Sequence, residues 1–555
     1  MNDEKRYRLK PAEKREQCYE KTVSVLCIFA AAVFVLLLIP ILAASFSAHT
    51  VNDDYNFAWR VYHAVRGGSG PIGILAAAVQ ETVYIWQIWQ GTFSAVFLFS
   101  LSPGAFSERA YALTTWILLG SLILATFYCV HTVVREKLRG SRAESALICA
   151  SVLTVSVSFV PDKAEAYYWW NGAVYYTFFY ALSLLLGAVV LQLLQDPGPE
   201  NVPTDPDAAG HKMQHVSRVP RGRRRRLLTA GCLLGFLVGG GNYTSALLCT
   251  ECLALVLLWC ILTKNRKWRE ILPVLVFLVF AFAVSLSSPG AAERSGRTEG
   301  MAPLQAVLSA LRQAAVFTLQ WTDLTVIALL LFLLPVMVHL AKKSGRSFRH
   351  PLPAVLLSYL LFASQIAPSY YGVSTYGGGR QVDIYYYSYI LAAVGLTFYL
   401  TGWLMGSPFG CFFRGCRKGR SAGYEKSAAG ASAPAEEKKT NARRGVLVLW
   451  SGKGLLLLCI VFLIGCKISG LHSITSVAAG DDLVHGRLAA YDREYMEMAK
   501  ELEQGQGKKS VTVSAPTAQP SVFPVSEIET YPGGWVNKAM ERYYGIEQIQ
   551  KRENE

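Results

Sequence analysis

The chain has 555 residues, of which 52% are hydrophobic and only 17% charged, and its mean hydropathy is +0.29. That balance excludes an ordinary soluble globular protein and points to an integral membrane protein. The net charge of +15 raises nucleic-acid binding as an alternative, and the placement of the cations decides against it.

Apolar runs of about 18 to 25 residues, the length that crosses a bilayer, lie near 22–46, 110–134, 144–161, 173–195, 227–246, 247–263, 271–288, 322–341, 351–367, 385–405 and 454–470. They predict an all-α polytopic membrane protein of about eleven transmembrane helices. The first run, Val23 to Leu42, is longer than a signal-peptide core, and no convincing cleavage site follows it, so it reads as a retained anchor after a cytoplasmic N-terminus at 1–21. With that terminus inside, the segments before 22 and around 135–143, 196–226, 264–270, 342–350 and 406–444 hold about 35 of the 54 Lys and Arg. The outer loops up to residue 467 hold about eight, so the cations report topology. The runs "RGRRRR" at 221–226 and "RGCRKGR" at 414–420 are therefore cytoplasmic anchors against anionic lipid, and no nucleic-acid partner is expected.

The resulting plan is a membrane domain over 22–470 with outer loops at 47–109, 162–172, 289–321 and 368–384, basic cytoplasmic loops at 196–226 and 406–444, and an extracytoplasmic tail at 471–555. Within the cytoplasmic loops, 196–220 and 419–444 are poor in large apolar residues and are expected to be disordered linkers. No internal repeat is visible, which counts mildly against a transporter. The cysteines fall in predicted spans or on the inner side, so no outer disulfide is expected, and Cys249 and Cys252 read as buried apolar filler. In the tail, Leu488, Tyr491, Tyr495, Met498 and Leu502 form one helical stripe, "SVTVSA" is a strand candidate and "WVNKAMERYYGIEQI" a final helix. This small α/β segment is too short for a large core of its own and is expected to pack over the outer loops.

The unusual polar residues gather on the outer side. The first loop carries Asp53 and Asp54 in "TVNDDYNFAW", followed by "ETVYIWQIWQG", read as a helix lying on the outer leaflet with Ile85, Ile88 and Trp89 on one side. The second carries Trp169, Trp170 and Asn171 in "PDKAEAYYWWNGAVYY", and the third is the tight "GGGNYTS". The fourth has Arg294 and Arg297 in "SSPGAAERSGR", and the fifth has Arg380 in "STYGGGRQVD". A partly desolvated carboxylate can take a proton from a hydroxyl, arginines can clamp a phosphate, and aromatic rings stack on sugars. Transfer of a sugar from a lipid-linked phosphosugar needs all three. Competing explanations are that the acidic pair caps the next helix, that the "YYWW" cluster is an interfacial aromatic belt, and that Pro289-Gly290 is an ordinary turn. Gly377–Gly379 lack the spacing of a nucleotide loop.

An apolar first helix, an Asp-Asp-Tyr opening the first outer loop and a surface-lying segment resemble the GT-C class of membrane glycosyltransferases. The chain is more closely similar to an uncharacterised bacterial multi-pass membrane family placed near that class. The matching elements are "NDDY" at 52–55, "WWNGAVYY" at 169–176, "GGGNYTSAL" at 239–247, "SPGAAER" at 288–294 and "WVNKAMERYYGI" at 535–546. One departure is Ala291, where the pattern has Asn after Pro-Gly. The resemblance implies a GT-C-like helix arrangement and a cell-membrane enzyme. It would transfer a sugar, with inversion, from a polyprenyl-phosphate donor to an envelope glycan, lipid or protein acceptor. It gives Asp54 the role of general base, with Asp53 as its partner, or makes the two the ligands of an optional divalent cation, magnesium or manganese. Arg294, Arg297 and Arg380 would hold the phosphate, and Trp169, Trp170, Asn171 and Tyr55 would contact substrate. The alternatives are a transporter or flippase for lipid-linked glycans, a polysaccharide polymerase or ligase, and a scaffolding pseudoenzyme.

Overall fold

The computed structural model describes residues 11–195, 221–407 and 448–552. The linkers expected at 196–220 and 419–444, the patch at 414–420 and the first ten residues lie outside the described residues. The architecture is that of an all-α polytopic membrane protein. Among the described residues, nine helices are long and apolar enough to cross a membrane, and each coincides with an expected span: Glu16–Ser47, Glu108–Lys137, Trp170–Leu193, Tyr243–Leu262, Trp268–Leu286, Leu324–Lys343, Pro351–Val373, Gly379–Gly406 and Gly452–Ser469.

The other two expected spans are helical as well, but each departs from the pattern of a simple span. Arg142–Ser158 has 17 residues and is buried along most of its length. Its hydroxyls turn back onto the helix, Ser151 donating to the Leu147 carbonyl and Thr154 to that of Ala150, which lets polar residues sit in a packed interior. Arg221–Gly239 opens on the arginine run and packs along Trp268–Leu286. A Cβ on Gly239 would come within 2.4 Å of the Leu278 carbonyl oxygen, and Cβ atoms on Gly235 and Gly231 would lie 3.0 Å from Val274. The four-residue spacing puts these glycines on one stripe, so the backbones approach closely. Cys249 and Cys252 do more than fill space: with Cys129 they line an apolar cavity of about 430 Å³ between helices.

The expected loop at 289–321 is mostly helix, in two pieces, Pro289–Ser295 and Pro303–Trp321. The second buries Ala306, Ala310, Ala314 and Phe317 at helical spacing, a row of small residues too weakly apolar to register as a span. The surface-lying segment also differs from expectation. Its helix begins at Pro71 and runs to Ile88, and Ile85 is buried, whereas Ile72, Leu75, Val79 and Val83 form the exposed apolar stripe. The expected window covered only the C-terminal half, where Glu81 and Gln90 are buried and Ile88 and Trp89 exposed, so polarity there does not mark the exposed face.

In the tail, the helix Arg487–Gln504 buries the whole expected stripe of Leu488, Tyr491, Tyr495, Met498 and Leu502. The strands Val511–Val513 and Ile549–Lys551 pair in parallel, and the helix Trp535–Tyr544 packs on the helix Asp53–Arg66. There Tyr62 stacks on Tyr543 with ring centroids 4.0 Å apart. Tail and loops thus share one hydrophobic cluster with the helices beneath them.

Candidate functional site

The polar turns meet because their local sequences permit close approach. In the fourth turn Ser288 caps the helix Pro289–Ser295 by accepting from the Ala291 amide at 3.1 Å, with Pro289 in the first helical position. A Cβ on Gly290 would lie 2.0 Å from the Trp89 nitrogen, and one on Gly91 would lie 1.8 Å from the Ser285 carbonyl oxygen. The fourth turn therefore docks backbone to backbone on the end of the Pro71–Ile88 helix, and Arg294 comes to rest 4.6 Å over the Trp89 ring. In the fifth turn Gly379 sits against Asp162, and the Arg380 amide donates to Glu165 at 2.8 Å. Asp383, fully buried, accepts from the Asp162 amide at 2.8 Å. These ties lock the fifth turn to the second and place the Arg380 guanidinium 4.7 Å over Trp169. Asn242 of the third turn is structural: it caps Tyr243–Leu262 and donates to the Tyr175 carbonyl.

The two aspartates have different environments. Asp54 is fully buried. One of its oxygens accepts from the Tyr111 hydroxyl at 2.5 Å and the Val51 amide at 3.3 Å, and the other from the Asn171 amide at 3.1 Å. Tyr111 in turn accepts from the Trp170 amide at 3.0 Å. Asp54 therefore does act as a cap, but for the distant helical segment that starts at Trp170, where a carboxylate also meets the positive end of the helix dipole. Burial pushes its carboxyl up to about 7, against the downward pull of those hydrogen bonds. Asp53 is half-buried. Burial raises its pKa, Arg380 and Arg294 lower it, and Glu527 of the tail raises it, so all three charges act on this carboxylate.

The sequence expectation thus needs one reordering: the accessible carboxylate beside the arginines is Asp53, while Asp54 is enclosed beneath it. The charges of Arg294 and Arg380 reach Asp53, Trp169 lies under Arg380, and Tyr175 and Tyr176 lie within the electrostatic reach of both arginines. Asn171 is 4% exposed, and its side-chain nitrogen and oxygen have no hydrogen-bond partner among the described residues.

Three expected residues lie elsewhere. Arg297 pairs with Glu293 on the surface. Trp170 is buried and donates its ring N–H to the Leu98 carbonyl at 3.0 Å. Tyr55 faces the tail, with its hydroxyl 2.6 Å from that of Tyr495. The acidic pair is poorly suited to a divalent cation, because both Asp54 oxygens already accept hydrogen bonds and two arginine charges act on Asp53. Among the described residues there is no group of three or more His, Cys, Asp or Glu arranged to hold a metal. Sequence reasoning missed Tyr111, Trp89 and Glu527, each joined to the site by contacts across long stretches of chain that no local pattern announces. Comparison with protein-family models, curated proteins and solved structures finds no match to this chain.

Proposed function

We propose that the chain is a membrane glycosyltransferase of GT-C-like type, moving a sugar from a polyprenyl-phosphate donor to an acceptor hydroxyl on the outer face. The observation that carries this reading is a half-buried carboxylate, Asp53, under the charges of two arginines, next to Asp54, which binds the backbone of Asn171, a buried residue whose side chain has no partner among the described residues. Arg294 sits over Trp89 and Arg380 over Trp169, where a phosphate can draw on their N–H groups, Arg380 sharing its own with Glu165 at 3.9 Å. The acceptor oxygen bonds to the anomeric carbon, the bond from that carbon to the phosphate oxygen breaks, and the acceptor proton passes to Asp53. Polyprenyl phosphate leaves with the bonding electrons, its charge held by the arginines. Asn171 orients a sugar hydroxyl, and Asp54 supports the geometry from below.

The test is to compare surface glycans and lipid-linked sugars in cells carrying the native protein or Asp53→Asn. Loss of a glycan with accumulation of its lipid-linked donor supports transfer. Unchanged profiles remove the reading.

A further inference from the structure

We propose that the C-terminal tail is a working part of this site, with Asn52 as the positioning residue through which residues 525–527 set the acidic pair. Its catalytic meaning rests on the function proposed above, but its geometry does not. Asn52 adopts φ 49° and ψ −118°, a backbone conformation that L residues rarely enter, immediately before Asp53 and Asp54. Its side chain is buried and spent entirely on the tail, donating to the Val525 carbonyl at 3.0 Å and accepting from the Glu527 amide at 3.0 Å. An amide using both ends in this way joins the tail backbone as a strand neighbour would, and it holds the turn in its unusual conformation.

Two further ties bracket the pair. Tyr495 donates to the Thr50 carbonyl at 2.7 Å and meets the Tyr55 hydroxyl, so the tail grips the chain on both sides of residues 51–54. Glu527 itself, held by the Trp535 ring N–H at 3.1 Å, brings a negative charge to bear on Asp53. The tail therefore supplies the site with both a clamp and a charge. Asn52→Gly keeps the backbone free to adopt the turn and deletes only the clamp. The tail stays attached to the helix Asp53–Arg66 through the Tyr62–Tyr543 stack and the His63 bond to the Arg542 carbonyl.

The experiment is an infrared pH titration of carboxyl groups in the full-length chain in lipid nanodiscs, with no substrate, the Asp54 band being assigned by its loss in Asp54→Asn. Asn52→Gly is expected to move the Asp54 midpoint down by about one pH unit, because a loosened turn admits water to the carboxylate. Glu527→Gln should leave Asp54 in place and lower the midpoint of Asp53. A lowered melting temperature in Asn52→Gly with an unmoved Asp54 midpoint would make Asn52 merely structural and overturn the proposal. An equal shift of Asp54 in Glu527→Gln would also overturn it, by making the coupling one of charge and not of position. Since no transfer is measured, failure here leaves the transferase reading standing, and unchanged glycan profiles in Asp53→Asn, which remove that reading, leave this one standing.

Discussion

Two contact regions of this molecule are built on opposite principles. The helices Arg221–Gly239 and Trp268–Leu286 meet through what is missing: Gly235 and Gly239 let backbone approach backbone, and Gly231 makes room for the Val274 side chain. Polar contacts close only the ends, the Arg224–Glu270 pair at one and Ser285 on the Gly239 carbonyl at the other. The tail-bearing layer also meets through buried polar groups: Asp54 accepts from the Tyr111 hydroxyl and from the backbone of residues 51 and 171, and Asn52 binds the backbone of residues 525 and 527. Glycine contact fixes shape and is indifferent to pH. Buried polar contact fixes charge, and each lost partner leaves an expensive group behind. Glycines serve both regions, at 231, 235 and 239 in the helix pair and at 91, 290 and 379 around the proposed site, but only the second region adds a buried carboxylate and a buried amide side chain to them.

The largest effect expected in the polar layer is on activity. Asp53→Asn should reduce transfer by about a hundredfold or more, the usual weight of a general base, as read from glycan and donor levels at equal expression. In the glycine layer, Gly239→Leu should cost about 3 kcal/mol or prevent assembly, since a Cβ there meets backbone and cannot be accommodated by a rotamer change. Thermal unfolding in detergent measures this, and pH should not alter the difference.

The two layers also differ in their response to pH. Asp54 is raised on folding, so the native state binds the extra proton between the ordinary carboxylate range and about 7. Its stabilising contribution is therefore present at low pH and lost as pH rises through 7. His49 behaves oppositely: burial lowers it to about 4, so its contribution is present above its ordinary value of 6.5 and lost on acidification. Asp54→Asn should flatten the decline in melting temperature between about pH 4 and 7, whereas Gly231→Ala should leave the slope unchanged. The smallest effect belongs to Arg297→Ala, which removes an exposed pair with Glu293 and should change stability by less than about 0.5 kcal/mol and transfer not at all.

The same contrast explains what the sequence made legible. Spans and the tail stripe are properties of local periodicity, and Leu488 through Leu502 could be placed on one face before any contact was known. Pro303–Trp321 escaped because its buried row is alanine, and alanine at every fourth position resembles a polar loop when Gln, Ser and Arg fill the gaps. Charge placement led the sequence reading to expect the acid and arginine turns together, but nothing in it distinguished the enclosed Asp54 from the half-buried Asp53. It depends on Tyr111, which is 57 residues from Asp54, and on a tail segment 473 residues from Asn52. Adjacent identical residues carry no mark of which one faces inward.

The most direct measurement is binding of polyprenyl phosphate, the proposed leaving product, to the purified chain, read by native mass spectrometry from vesicles containing that lipid. The native protein should retain the lipid, and the double variant Arg294→Ala/Arg380→Ala should lose it while Arg297→Ala keeps it. Equal retention by the native and double-variant proteins would contradict the convergence of the two arginines on one phosphate beside Asp53.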